Sequence, residues 1–304
     1  MSDIFTYRDD KEGKVGIGKL PLELQYKLKE IAKEYNSIIP DKNASTHHIW
    51  FDDMPQNIKS NVEIIQNHNF WKKLCDNTNK CIIENVNDMD EIYYSNPKNN
   101  YNKINLYGAT SNYDVHKDCI FNFNGIKFYR VLIGLSNNNS NMITYFNNLK
   151  TGHKINSGDY IVFDFDKSTH QVIKDTEKKT PRILLKLHYI VCENCKYNEN
   201  YVKFIKQIYI NYEYITRYIM KNGTDPKTFT GFFFGLMATI FYQQNIEYIL
   251  FLLIFIIIVC IRFIMKIKFF YKNMSIFVGY TFSILIIMYF ILVLTFWVQY
   301  KLYI

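Results

Sequence analysis

The first residues, "MSDIFTYRDDKEGK" (1–14), carry charge but no apolar core. No secretory signal is expected there, and any membrane targeting is expected to come from the C-terminus. A second closely spaced cysteine pair is also missing. "CENC" (192–195) has zinc-ligand spacing, but Cys75 and Cys81 stand too far apart to complete a site. Reduced thiols or a local disulfide are therefore expected rather than a zinc centre. The formal charge of +8 is not gathered on one periodic face, which argues against nucleic acid and leaves a membrane surface as the acidic neighbour. Charge is scarce over residues 229–300, where Phe, Ile, Leu, Tyr and Met dominate. Asn-rich runs such as "SNNNSN" (136–141) belong to a chain-wide excess of Asn, Lys, Ile, Tyr and Phe and read as loop.

The 304 residues are 48% hydrophobic, which allows one or two domains with a sizeable core. The apolar tail contains a run from Ile246 to Ile261 and another from Met274 to Val298. The second is long enough to cross a hydrocarbon layer of about 30 Å, and the first extends past Arg262 if that side chain snorkels. Between them lie Arg262, Lys266, Lys268 and Lys272, a loop that the positive-inside rule puts in the cytoplasm. A third candidate, "FTGFFFGLMATIFYQ" (229–243), reaches only about 23 Å as a helix. With it as a span, every basic flank except Lys301 falls on the cytoplasmic side, so three spans and a cytosolic soluble domain are the expected topology. An interfacial helix at 229–243 would leave two spans and the domain on the opposite side. The sequons "NAS" (43–45) and "NGT" (222–224) do not decide between them in so Asn-rich a chain.

Residues 1–102 read as a mainly helical support region. Pro21 suits a first helical turn, with Leu22, Tyr26 and Ile31 near one face, and a second helix is expected over 56–74. His47 and His48 read as surface or structural. From Lys103 the texture changes to short β-rich runs: "KINLYG", "CIFNFNGIKFYRVLIGL", "MITYFNN", "GDYIVFDF" and "RILLKLHYIV". No helical pattern between them is long enough for βαβ crossovers, so an antiparallel barrel or jelly roll is expected over 103–200. A linker or helix is expected at 201–228 and the transmembrane region at 229–304.

Within the β-rich part, His116 and Asp118 are two residues apart in a predicted strand and so point to one side. His170 follows on a later strand. Two imidazoles and one carboxylate are the ligand set of non-haem Fe(II) oxygenases. Twelve residues after His170 comes Arg182, and alternation puts Arg182, Leu184, Lys186 and His188 on one face, where a fixed cation can clamp a dicarboxylate. His153 and His188 read as surface or packing histidines, and Tyr107, Asn122 and Tyr129 as candidate hydrogen-bonding neighbours without an assigned role.

The order H-x-D, "SGDYIVFDFDKSTHQV", then "TPRILLKLHY" resembles the Fe(II)/2-oxoglutarate-dependent oxygenases, in layout their prolyl 4-hydroxylase-like branch, over residues 103–192. The resemblance implies a double-stranded β-helix, which with the helices expected before it and the transmembrane helices expected after it makes an α+β chain. It implies iron on His116, Asp118 and His170, and 2-oxoglutarate held by Arg182, with Lys186 as the alternative because that branch usually offers lysine. Leu184 stands where a serine often follows the arginine. Ascorbate would serve as auxiliary reductant. The implied activity is hydroxylation coupled to conversion of 2-oxoglutarate to succinate and CO2, on a protein side chain by the resemblance, with a lipid suggested only by the apolar tail. A catalytically inactive jelly roll tethered to a membrane as a scaffold is the alternative from another class.

Overall fold

Proline opens both N-terminal helices, because its fixed φ suits a first turn and its missing N–H is not needed there. In the computed structural model α1 (Leu22–Tyr35) follows Pro21 and α2 (Gln56–Gln66) follows Pro55. The model describes residues 4–223 except 10, 12, 37, 39–45, 76–80, 96–112, 119–120, 122, 138, 140–141, 148, 175–180 and 194. Among these no helix is long and apolar enough to cross a membrane. The spans expected at 229–304, and the strand expected at "KINLYG", lie outside the described residues.

The strands are β1 (Tyr7–Asp9), β2 (Gly13–Lys19), β3 (Thr46–Trp50), β4 (Ile82–Asn85), β5 (Glu91–Ser95), β6 (Tyr113–His116), β7 (Ile126–Gly134), β8 (Met142–Phe146), β9 (Thr151–Lys154), β10 (Asp159–Asp164), β11 (His170–Lys174) and β12 (Arg182–Cys192). A helix, α3 (Glu199–Gly223), follows them. The larger sheet runs β1-β2-β10-β7-β12-β5-β3, with β4 also paired to β12, and the smaller runs β6-β11-β8-β9. These strand pairings are antiparallel. From β5 to β12 the chain passes back and forth between the two sheets, the winding of a jelly roll.

The N-terminal hundred residues depart from the mainly helical expectation. Beside the two helices they supply β1 to β5, all in the larger sheet. The face of α1 also differs: Leu24, Leu28, Ile31 and Tyr35 are buried at helical spacing, whereas Leu22 and Tyr26 are exposed. That face and the Ile58, Val62 and Ile65 face of α2 pack with Leu185, Leu187 and Tyr189 of β12 and with Val131 and Ile133 of β7. The opposite face of the larger sheet meets the smaller one through Leu132, Ile161, Phe163 and Leu184 against Phe146. A third cluster seats Val202, Ile205 and Tyr209 of α3 on Phe128, Phe165 and Ile190. The larger sheet is thus covered on both sides, which explains why β5 is buried at every position and shows no alternation.

At the end of β10, Asp164 is 2% exposed and its Oδ1 accepts the backbone N–H groups of Asp166 and Lys167. Burial pushes its carboxyl up to about 6, against the lowering effect of those bonds and of Lys167 and Lys127. A folded pKa above the unfolded one favours folding below the unfolded value, and that contribution disappears as pH rises through the folded value. Asp164→Asn keeps the acceptor and removes the charge. It is expected to raise stability at pH 8 by up to about 2–3 kcal/mol, with little gain at pH 4, in thermal unfolding at the two pH values.

The cysteines pair Cys75–Cys81 and Cys192–Cys195 as two local disulfides. The "CENC" run is thereby a short staple at the end of β12. Cys75, Cys81, Cys192 and Cys195 are therefore expected to resist alkylation in the unreduced protein and to react after reduction. Peptide mass mapping after iodoacetamide treatment checks this.

Candidate metal and cosubstrate site

His170 opens β11, which lies between β6 and β8, with His116 opposite it in register on one side and Phe146 on the other. The ring is 6% exposed and sits between Phe163 and Phe146, at centroid distances of 4.9 and 6.0 Å. Its Nδ1 is 3.2 Å from the carbonyl oxygen of Ser168. A carbonyl only accepts, so Nδ1 carries the proton and the lone pair of the neutral ring is on Nε2. Nε2 lies 3.6 Å from Oδ2 of Asp118.

The His170 lone pair faces the Asp118 oxygen that also meets the Arg130 guanidinium at 2.7 Å, and a carboxylate has lone pairs enough to take a second cation beside the imidazole. Ligand atoms about 2.1 Å from one cation sit about 3.0 Å apart at right angles and about 3.4 Å apart at the tetrahedral angle, slightly inside the 3.6 Å here. The donor set therefore fits a metal ion, with the Ser168 carbonyl fixing the tautomer that a ligand histidine needs. Among the described residues no group of three His, Cys, Asp or Glu side chains is close enough to hold a metal. The His116 side chain is outside that description, and its position in the ladder opposite His170 is what the structure gives. Asp118 differs from the sequence expectation in one respect: β6 ends at His116, so Asp118 stands in a bend beyond the strand and strand alternation does not aim it.

Arg182 begins β12 and is 2% exposed. Its guanidinium crosses from the larger sheet to the smaller one and donates from Nη2 to Oγ1 of Thr144 at 2.5 Å. In β8 and β11, Thr144 is paired with Val172, two residues along the strand from His170. Lys186 has a different commitment: Nζ is 2.5 Å from Oε1 of Glu91 and 4.0 Å from the centre of the Tyr93 ring. Burial lowers the Lys186 pKa, while Glu91 pulls it up. His48 Nδ1 is 2.7 Å from the other Glu91 oxygen and stacks on Trp50, so this histidine has a structural partner. Tyr129 faces the helices, 5.2 Å from Phe5 between ring centres.

Two residues of this region escape the sequence reading. Arg130 of β7 ion-pairs with Asp118, Nη1 to Oδ2 at 2.7 Å, and its Nε donates to His188 Nε2 at 2.9 Å. His188, read from the sequence as simple packing, is fully buried and lies 3.1 Å from Asp90. A charged residue inside the apolar run "FYRVLIG" was the available signal for Arg130.

No protein-family model and no curated relative matches the chain. Among solved structures it is similar to a viral collagen prolyl hydroxylase, vCPH, from Paramecium bursaria chlorella virus 1, in complex with 2-oxoglutarate, at 14% identity, covering 58% of this chain and 95% of that one with a TM-score of 0.38. HygX from Streptomyces hygroscopicus, with nickel and 2-oxoglutarate bound, is similar at 8% identity, covering 59% and 83% with a TM-score of 0.39. SnoK, a non-haem α-ketoglutarate-dependent carbocyclase of nogalamycin biosynthesis, is similar at 10% identity, covering 58% and 79% with a TM-score of 0.38. Likeness at this level assigns no activity, and a functional reading has to rest on the residues of the site.

Proposed function

We propose that this chain is a membrane-tethered Fe(II)- and 2-oxoglutarate-dependent oxygenase that hydroxylates a protein side chain. The observation that carries the reading is the buried meeting of the His170 Nε2 lone pair with the Asp118 carboxylate at 3.6 Å, next to a strand position held by His116. His116, Asp118 and His170 would hold the iron, leaving coordination positions open. When bound, iron would supply the oxidative chemistry that couples decarboxylation of 2-oxoglutarate to substrate hydroxylation. The chain's own contribution is positional. Ser168 fixes the His170 tautomer, Phe146 and Phe163 keep the ring dry, and the buried Arg182 offers a planar fork to the distal carboxylate of 2-oxoglutarate.

The test is succinate formation by the solubilised full-length chain with Fe(II), ascorbate and 2-oxoglutarate, in air and under argon. A peptidyl proline is the first substrate to supply, given the resemblance of "SGDYIVFDFDKSTHQV" to the prolyl hydroxylase-like branch. Succinate that requires air supports the reading. A folded chain that neither binds a divalent cation nor consumes 2-oxoglutarate leaves the tethered scaffold in its place.

The two disulfides favour an oxidising compartment for the soluble domain. That is the side given by a two-span tail rather than the cytosolic side given by three spans. Expression in a eukaryotic cell is then expected to yield a glycosidase-sensitive gel shift that is lost on substitution of Asn43, Asn138 and Asn222 together. An unshifted band together with free Cys192 and Cys195 would return the domain to the cytosol.

A further inference from the structure

A chain of polar side chains crosses the larger sheet behind the proposed metal site. On the helix side, Gln66 Nε2 donates to Asp90 Oδ2 at 2.6 Å. Asp90 Oδ1 accepts the His188 backbone N–H at 2.9 Å and lies 3.1 Å from His188 Nδ1. His188 Nε2 accepts from Arg130 Nε at 2.9 Å, and Arg130 Nη1 meets Asp118 Oδ2 at 2.7 Å. Arginine has only donors, so His188 Nε2 must be the acceptor and Nδ1 must carry the proton that faces Asp90. The donor and acceptor roles from Gln66 Nε2 to Asp118 are thereby fixed, while the buried Gln66 Oε1 meets no hydrogen-bond partner among the described residues. Gln66, Asp90 and His188 are at most 1% exposed. The Arg130 guanidinium lies 4.4 Å from the centre of the Phe165 ring, a second restraint on its plane.

Such a chain is costly to bury unless each member is satisfied, and here it ends on the one proposed ligand that strand geometry does not orient. Asp118 sits in the bend after β6, whereas the position of His170 is set by its strand. We infer that Arg130 is a positioning residue that holds the Asp118 carboxylate in its ligand orientation, and that His188, Asp90 and Gln66 hold Arg130. This rests on the oxygenase reading, since it names what Asp118 is held for. A carboxylate has about four lone-pair sites, so one ion pair leaves capacity for a cation. The opposing effect is charge: a guanidinium beside a metal ligand repels the metal. The chain's restraint on Arg130 predicts that positioning outweighs repulsion, because a rigid cation does not follow the carboxylate into the metal's place.

The experiment measures Mn(II) affinity of the full-length protein by the signal of free Mn(II) in electron paramagnetic resonance, with thermal unfolding alongside. Arg130→Met is expected to weaken Mn(II) binding by about 10- to 100-fold, the usual cost of losing a partner behind a metal ligand. His188→Leu, which removes the acceptor that fixes Arg130, is expected to weaken it by about tenfold, and His188→Gln, whose amide oxygen can stand near the Nε2 position, to recover most of that. The Leu and Gln pair decides the matter even if Arg130→Met fails to fold. Mn(II) binding that is unchanged or tighter in His188→Leu, with unfolding temperature matched to His188→Gln, would overturn the proposal and make Arg130 a plain counter-ion. If wild type and His170→Ala bind Mn(II) equally poorly, the oxygenase reading itself fails and takes this proposal with it.

Discussion

Alanine at His170 or at Asp118 is expected to reduce divalent-cation affinity by well over a hundredfold and to abolish 2-oxoglutarate turnover. The expectation exceeds the tenfold to hundredfold typical of residues one step behind a ligand because these side chains would donate directly. The two variants differ in their effect on the fold. His170→Ala removes a ring packed on Phe146 and Phe163 and opens a cavity beside them. Asp118→Ala instead strands the Arg130 cation, which is 8% exposed, and is expected to cost about 3 kcal/mol or more. Asp118→Asn spares much of that cost while still lowering metal affinity. A calorimetric Mn(II) titration with parallel melting curves separates the two effects. If either alanine variant turned over 2-oxoglutarate at the wild-type rate, that residue would not be a ligand.

Lys186→Met is expected to lower stability by about 3–5 kcal/mol, because it takes the 2.5 Å ammonium partner from the Glu91 carboxylate, 4% exposed at the side chain. The double variant Lys186→Met/Glu91→Gln is expected to regain most of the loss, since removing both charges is far cheaper than removing one. Arg182→Met tests the cosubstrate role. Loss of a buried charge pair to the ligand costs about 2–5 kcal/mol, so KM for 2-oxoglutarate is expected to rise at least about thirtyfold. Steady-state kinetics on the soluble fraction of each variant gives the comparison. A lysine committed to Glu91 should leave that KM nearly unchanged in the double variant, and an equal rise in both would restore Lys186 as a clamp.

The sequence carried the later strands well because each is a short apolar run closed by turn residues, so "MITYFNN", "GDYIVFDF" and "RILLKLHYIV" correspond to β8, β10 and β12. The N-terminal strands lacked that pattern for physical reasons. β2 is "GKVGIGK", glycine-rich with charge at its ends, and β5, "EIYYS", is buried on both faces and has no alternation to read. In α1 the amphipathic face was misjudged by two residues because Leu22 and Tyr26 are apolar yet face solvent. His170 and Arg182 were visible through their spacing along adjacent apolar runs. Arg130, Asp90 and Gln66 were not, since their partners lie 58, 98 and 24 residues away and pairing at such range leaves no local period. Strand alternation also gave a wrong reason for Asp118, which stands in a bend beyond β6 and ion-pairs with Arg130.

The most direct test is a calorimetric titration of 2-oxoglutarate into the full-length protein, metal-free and loaded with Mn(II). One site shared by metal and cosubstrate predicts binding only in the loaded protein, weakened by Arg182→Met and lost in His170→Ala. Binding of equal strength with and without Mn(II), or none in a loaded and folded protein, would contradict the account.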